Sequence, residues 1–193
     1  MWIPSLLEGM NAREMKSLGM KMSVSDIYSV NKSSLKDAVP HFNGGCTAEM
    51  ISDKGLLLTN HHCGFSAINA LSTVEHDYML NGFYAKSYSE ELPNEKMFVS
   101  FMKEQKDITS RVNAITRGKE TDAQEAAIDS LTNLLTDSVK RIDKTLHVEI
   151  DPFYEGNKYF ATVYQDFKDL RLVFTVPKSM GKFGGETDNW MWP

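Results

Sequence analysis

Both cysteines of this chain fall inside one stretch, Asn43–Phe65, reading NGGCTAEMISDKGLLLTNHHCGF, and this stretch limits the fold more than any other. Asp53-Lys54-Gly55 is a turn signal between two strand-like runs, Thr47–Ser52 and Gly55–Thr59, so the unit reads as a β-hairpin. A two-strand turn brings its ends together, which predicts Cys46 beside Cys63. A disulfide there closes the loop from 46 to 63 and stabilises the fold by about 3 kcal/mol on chain-entropy grounds. His62 directly precedes the second cysteine, at the end of what reads as a buried strand. A general base must be held within reach of the proton it removes, so a covalently stiffened mounting suits it. His61, His62, Cys63 and Cys46 also have the donor chemistry of a zinc site. Against that, ligands at adjacent positions seldom converge on one ion, and the sequence has no Cys-x-x-Cys pair.

The rest of the composition narrows the class of function. Hydrophobic residues at 41% and charged ones at 24% are those of an ordinary soluble globular protein, long enough for one substantial domain or one lobe of something larger. A net charge of −5 without a basic run argues against nucleic acid or an anionic membrane as partner. No apolar run approaches the ~18 residues of a membrane span. Met1-Trp2-Ile3-Pro4 lacks the charged and apolar regions of a signal peptide, so the expectation is a cytosolic protein or one whose leader has been removed. Two cysteines that a hairpin brings together favour an oxidising compartment.

Along the chain, Ile3, Leu6, Leu7, Met10, Met15, Leu18 and Met22 recur at roughly helical spacing and predict one helix or two short ones, with the stripe filling a core. Residues 23–42 carry capping and turn chemistry, with one helical turn at Leu35–Val39. Gly64–Leu80 reads as mostly helical, and Tyr78, Phe83, Tyr84 and Tyr88 as aromatics walling the core. Met97–Met102 is strand-prone. Ile128, Leu131, Leu135, Val139 and Ile142, spaced 3, 4, 4 and 3 apart, form one stripe of a long helix. Thr121 with Gln124 is a capping box at its start, and Gly118 separates it from a shorter helix before. Leu146–Tyr154 and Lys158–Tyr164 flank Glu155-Gly156-Asn157 as a second hairpin, and Leu170–Val176 gives a further strand ending at Pro177. His61 reads as structural, and His41, His76 and His147 as surface or satisfied half-buried residues. A barrel or sandwich carrying an inserted helix is the expected composite.

The final stretch, GKFGGETDNWMWP from Gly181 to Pro193, places two tryptophans and an Asn-Trp pair on a glycine-rich loop. An aromatic wall with amide donors and acceptors makes a binding surface there; the same tryptophans could instead plug a core. Taken with GGCTAEMIS, GLLLTNHHCGF, MKSLGM at 15–20 and SSLKDAV at 33–39, it resembles the bacterial chymotrypsin-fold dipeptidyl peptidases, the group containing dipeptidyl peptidases 7 and 11. The resemblance spans nearly the whole chain.

The resemblance implies a fold that is mainly β with helices: the first β-barrel of a chymotrypsin-like double-barrel protease, with an N-terminal helix and a helical excursion at about 107–144. Residues 1–193 would then be the N-terminal part of a peptidase catalytic domain. It implies a serine-type dipeptidyl aminopeptidase with a Ser-His-Asp triad and no cofactor. His62 matches the catalytic histidine, Cys46 and Cys63 the family's disulfide, and Asn189 with Trp190 the pair that holds the free N-terminus of a peptide substrate. A full-length enzyme of this kind is expected in the periplasm or at the cell surface, and the family suggests a homodimer. In the family the triad aspartate and the nucleophilic serine lie further on than the stretch matched here. Asp188 falls in the binding segment rather than the triad, Glu186 and Asp188 could tune charge beside an incoming amine, and the 193 residues alone are expected to give no turnover. The alternative is a non-catalytic peptide-binding remnant or pseudoenzyme.

Overall fold

The computed structural model describes residues 3–181, and they fall into two compact units, each assembled from segments distant in sequence. The first contains the residues up to 38 together with 101–166; the second contains 39–100 and the residues from 167 on. Where a mainly β first barrel with an N-terminal helix and a helical excursion is expected, the structure has an antiparallel sheet with N-terminal helical turns and helices within 107–144, consistent with part of the protease fold. By length the helices take the larger share, 39% against 26% in strands.

The second unit carries the stretch that opens the sequence reading. Strand β1, His41–Phe42, turns at Asn43–Gly45 into β2, Cys46–Met50, which pairs antiparallel with β3, Leu57–Thr59. The predicted hairpin is present, with Ala48 opposite Thr59 and Met50 opposite Leu57, and Gly55 takes a φ of +85 in its turn. Strand β1, two residues long, has no strand-like run of its own. It exists because it is paired on both sides, with β2 and with the first residues of the later strand Val99–Asp107. Asn60 then starts the helix His61–Leu71. Two small ribbons follow: β4, Phe83–Tyr84, and β5, Leu92–Asn94, pair with β10, Phe174–Thr175, and β9, Leu170–Leu172, respectively. The single strand expected over Leu170–Val176 is therefore two strands, broken at Val173, whose carbonyl accepts from the Ala85 amide at 2.8 Å. Phe42, Ala48, Ile68, Ala85, Met97 and Val99 make this unit's core. Tyr78 and Phe83 pack edge to face at 5.0 Å, but Tyr84 and Tyr88 are 65% and 71% exposed, so only half of the aromatic set is walled in.

In the first unit, β6 (Val99–Asp107, from Phe101 onward), β8 (Lys158–Phe167) and β7 (Leu146–Phe153) lie side by side, with β8 in the middle. The β7–β8 hairpin matches its prediction: Phe153 faces Lys158, and the loop between them uses positive φ at Tyr154, Glu155 and Gly156. The helices Thr109–Thr116 and Thr121–Lys140 are joined through Gly118. On the long helix Leu131 is buried and Ile128, Leu135 and Val139 are half-buried, the stripe the spacing predicts, and this face packs on β7. Ile142 lies past the helix end and is 85% exposed. The capping box does not form. Glu120 is the N-cap, Thr121 is already helical, and the Gln124 side chain turns back to the Lys119 carbonyl at 2.7 Å. Of the N-terminal stripe, Ile3 and Leu7 are buried while Met10, Leu18 and Met22 are exposed. The helical turns there are short, Leu7–Met10 and Ala12–Ser17, so no continuous stripe faces one way. Polar contacts hold this segment to β6 instead. Ser5 donates to Gln105 Oε1 at 3.0 Å, the Gln105 amide donates to the Tyr28 hydroxyl at 3.0 Å, and Lys36 Nζ donates to the Met102 carbonyl at 2.9 Å.

Candidate active site

The site is built within the second unit by the β1–β2 turn, the β2–β3 hairpin and the first turn of the helix His61–Leu71. Asn43 and Gly44 have φ values of +50 and +74, and the Gly45 amide reaches back to the Phe42 carbonyl at 3.4 Å. Asn-Gly is the sequence that tolerates two successive left-handed residues. The hairpin is closed further on by the Thr59 hydroxyl, which donates to the Thr47 carbonyl at 2.8 Å. Asn60 leaves the strand in extended conformation, and its carbonyl accepts the Cys63 amide at 3.0 Å.

Cys46 and Cys63 are joined by a disulfide, with Cα atoms 6.2 Å apart. The staple thus pins the first turn of the helix to the start of β2. His62 sits on that turn and is exposed. Two details differ from the sequence reading. The strand before it is not buried, Leu58 being 51% exposed, and His62 belongs to a helix start rather than a strand end. The helix starts at His61 because the Cys63 amide bonds back to the carbonyl of extended Asn60, closing the first turn there.

Of the four residues with zinc-ligand chemistry, the donor atoms of Cys46, His62 and Cys63 all lie within 4.8 Å of one another. The sulfurs are bonded to each other and offer no thiolate, the form that binds zinc, so the disulfide overturns that reading. His61 is half-buried, and burial, with the neighbouring His62 imidazole second, holds its pKa below the usual value of 6.5. Its ring meets the edge of Phe65 at a centroid distance of 6.2 Å, a packing role.

An open cleft of about 390 Å³ lies against His62. Its walls are the disulfide, the Gly44-Gly45 backbone, Thr47, Asn60 and a second imidazole, His41. The sequence reading left His41 as a surface or satisfied half-buried residue; it is half-buried, and it shares the cleft with His62. The signal that could have found it is the Asn-Gly-Gly turn, which folds residue 41 back alongside Thr47. The lining contains two imidazoles, a hydroxyl and an amide, and among the described residues no carboxylate, ammonium or guanidinium. Asn189, Trp190, Glu186 and Asp188 lie outside the described residues.

The chain has relatives among known proteins. The chain is 55% identical to the Asp/Glu-specific dipeptidyl-peptidase of Capnocytophaga gingivalis and 43% identical to dipeptidyl-peptidase 7 of the same organism, in both cases over its whole length and over 27% of the relative. It therefore spans about a quarter of the length of these curated relatives. The crystal structure of Porphyromonas endodontalis DPP11 in complex with the dipeptide Arg-Glu superposes with a TM-score of 0.86 at 42% identity, covering all of this chain and 28% of that one. The Peptidase S46 family model matches residues 1–193 from end to end, and the chain belongs to that peptidase family.

Proposed function

We propose that this chain is the base-carrying portion of a serine dipeptidyl peptidase that removes dipeptides from free peptide N-termini. The observation that carries this is the placement of His62: an exposed imidazole on a helix turn stapled by the Cys46–Cys63 disulfide and bordering an open cleft. In the reaction His62 takes the proton of a serine hydroxyl as its oxygen attacks the scissile carbonyl. Backbone donors stabilise the oxyanion, and the imidazole then returns the proton to the departing amine. Asn189 and Trp190 hold the substrate's amino end, which sets the distance from N-terminus to scissile bond and makes the cut fall after two residues. The identity of 55% and 52% to two Asp/Glu-specific relatives, against 43% for a dipeptidyl-peptidase 7, supports an acidic residue before the cut. The disulfide supports an oxidising location, periplasm or cell surface. A homodimer of the full-length protein completes the reading, and its mass in solution tests that part.

The test uses fluorogenic dipeptidyl amides with Glu, Asp or Leu as the second residue, and the full-length protein that carries this sequence. Hydrolysis of the acidic substrates is expected, and His62→Ala is expected to lower kcat by about 10⁴-fold or more, as loss of a triad histidine does. Asn189→Ala is expected to raise KM for free N-termini. Undiminished turnover in the His62→Ala protein would remove the foundation of the reading.

A further inference from the structure

The peptidase reading uses the imidazole of His62 and treats the disulfide as a staple. The structure also gathers the two sulfurs and that imidazole into one cluster, with the donor atoms of Cys46, His62 and Cys63 all within 4.8 Å of one another. The sulfur–sulfur bond is what keeps this cluster from binding a metal, and it does so only while it is intact. We propose that the reduced form of the protein carries a soft divalent-metal site of the zinc class, with the Cys46 and Cys63 thiolates and the His62 imidazole as ligands, so that bound metal and peptidase activity exclude each other. The site itself rests on the donor geometry; its effect on turnover rests on the peptidase reading.

The redox step is an ordinary thiol–disulfide exchange. A dithiol reductant gives two electrons and two protons, the Cys46–Cys63 bond breaks into two thiols, and the reductant closes into its own disulfide. Both cysteines are half-buried and border the open cleft, so a small reductant has access to them. The metal ion then takes the sulfurs as thiolates, their two protons go to solvent, and a His62 ring nitrogen donates its lone pair to the ion. With one ring nitrogen on the metal and the other carrying the ring proton, the imidazole has no lone pair for a serine proton. The base is therefore out of action for as long as the metal stays.

The geometry fits such a site. Distances of about 2.3 Å from zinc to sulfur and about 2.0 Å to nitrogen put tetrahedral donors about 3.5–3.8 Å apart. Donors that already lie within 4.8 Å reach that spacing by small side-chain rotations. The two Cα atoms, 6.2 Å apart, let the freed sulfurs separate without moving the backbone. Neighbouring positions in sequence converge here because the first helical turn brings His62 and Cys63 to the same side as Cys46. The frame has supports besides the disulfide: Ala48 pairs with Thr59, the Thr59 hydroxyl donates to the Thr47 carbonyl at 2.8 Å, and the Cys63 amide donates to the Asn60 carbonyl at 3.0 Å. Three protein ligands leave a fourth position, to which the cleft of about 390 Å³ admits solvent. With no carboxylate in the cleft lining among the described residues, calcium and magnesium lack the charged oxygen ligands they favour.

The experiment takes the full-length protein that carries this sequence, oxidised or reduced with a dithiol that is then removed without air, and titrates it with zinc, cobalt(II) or magnesium. Stoichiometric zinc is expected on the reduced protein beyond what the oxidised protein holds, with none of the magnesium bound there. The cobalt form is expected to show thiolate-to-metal charge-transfer absorption, and Cys46→Ser with Cys63→Ser is expected to abolish it. His62→Ala is expected to weaken zinc binding by about tenfold or more, and His61→Ala to leave it unchanged. That contrast separates a folded site from metal caught by an unfolded chain, where the two adjacent histidines are equivalent. Zinc is expected to abolish hydrolysis of an acidic dipeptidyl amide by the reduced protein, and a chelator to return it to the metal-free reduced rate. Equal zinc binding in the oxidised and reduced proteins overturns the proposal, as does an equal effect of His61→Ala and His62→Ala. His62-dependent zinc binding in a protein that shows no peptidase activity even when oxidised would uphold the metal site and strike the peptidase reading instead.

Discussion

His147 sits between two carboxylates on the β7–β8 hairpin. Its Nε2 lies 3.4 Å from Glu149 Oε1 and its Nδ1 3.0 Å from Asp166 Oδ2, and its ring stacks on buried Tyr164 at 5.4 Å. The hydrogen bond to Glu149 raises the imidazole pKa above 6.5, with the Asp166 charge adding to it and burial opposing. Because the folded pKa lies above the unfolded one, the stabilisation is complete below about pH 6.5 and is lost as pH rises through the folded value. His147→Gln is expected to cost most at pH 6 and progressively less above pH 6.5, read from urea midpoints across that range. The sequence reading called His147 surface or half-buried and satisfied, and half-buried and paired is how it folds. Its acidic partner across the hairpin, Asp166, was not legible, since pairing Leu146 with Gln165 requires the register of the whole hairpin. His62 was legible because its cysteine neighbour is adjacent in sequence. His41 was not, because its neighbours come from pairing.

At the scale of elements, the hairpins and the long helix followed from turn residues and spacing, while their ends followed from neighbours. Gly82 shows how strict a neighbour can be. Its φ and ψ of +75 and 175 belong to a region almost closed to other residues, and a Cβ there would meet the Thr175 carbonyl oxygen at 2.8 Å and the Pro177 nitrogen at 2.9 Å. Both obstacles are backbone and cannot swing away. Gly82→Ala is expected to destabilise the protein by about 3 kcal/mol, from strain and overpacking together, measurable by denaturant unfolding. Nothing in the local sequence Leu80-Asn81-Gly82-Phe83 announces this, because the obstructing strand β10 arrives some ninety positions later. The capping box expected at Thr121 and Gln124 fails for a local reason. Thr121 and Gln124 carry the right side chains, but the helix begins one residue early at Glu120, so both side chains sit where capping geometry does not arise.

At the scale of the whole molecule, the disulfide acts on the unfolded chain more than on any one contact. Replacing both cysteines by serine is expected to lower the unfolding free energy by about 3 kcal/mol. Amide exchange in that variant should rise first across residues 41–63, where the helix start is no longer tied to β2. Equal exchange rates in the two proteins would mean that the hairpin holds His62 unaided. The division into two units, each joining segments far apart in the chain, has no counterpart in composition or periodicity. By itself the sequence determined the hairpin at 46–59, the disulfide and the 121–140 helix, and it singled out His62 as the candidate base, because each rests on interactions between residues at most about twenty positions apart. Only the tertiary structure decided that His41 shares a cleft with His62, that the last apolar run breaks into two strands, and that Gly82 admits no side chain. Those outcomes depend on strand pairing and close packing between distant segments, whose register is set by the assembled fold.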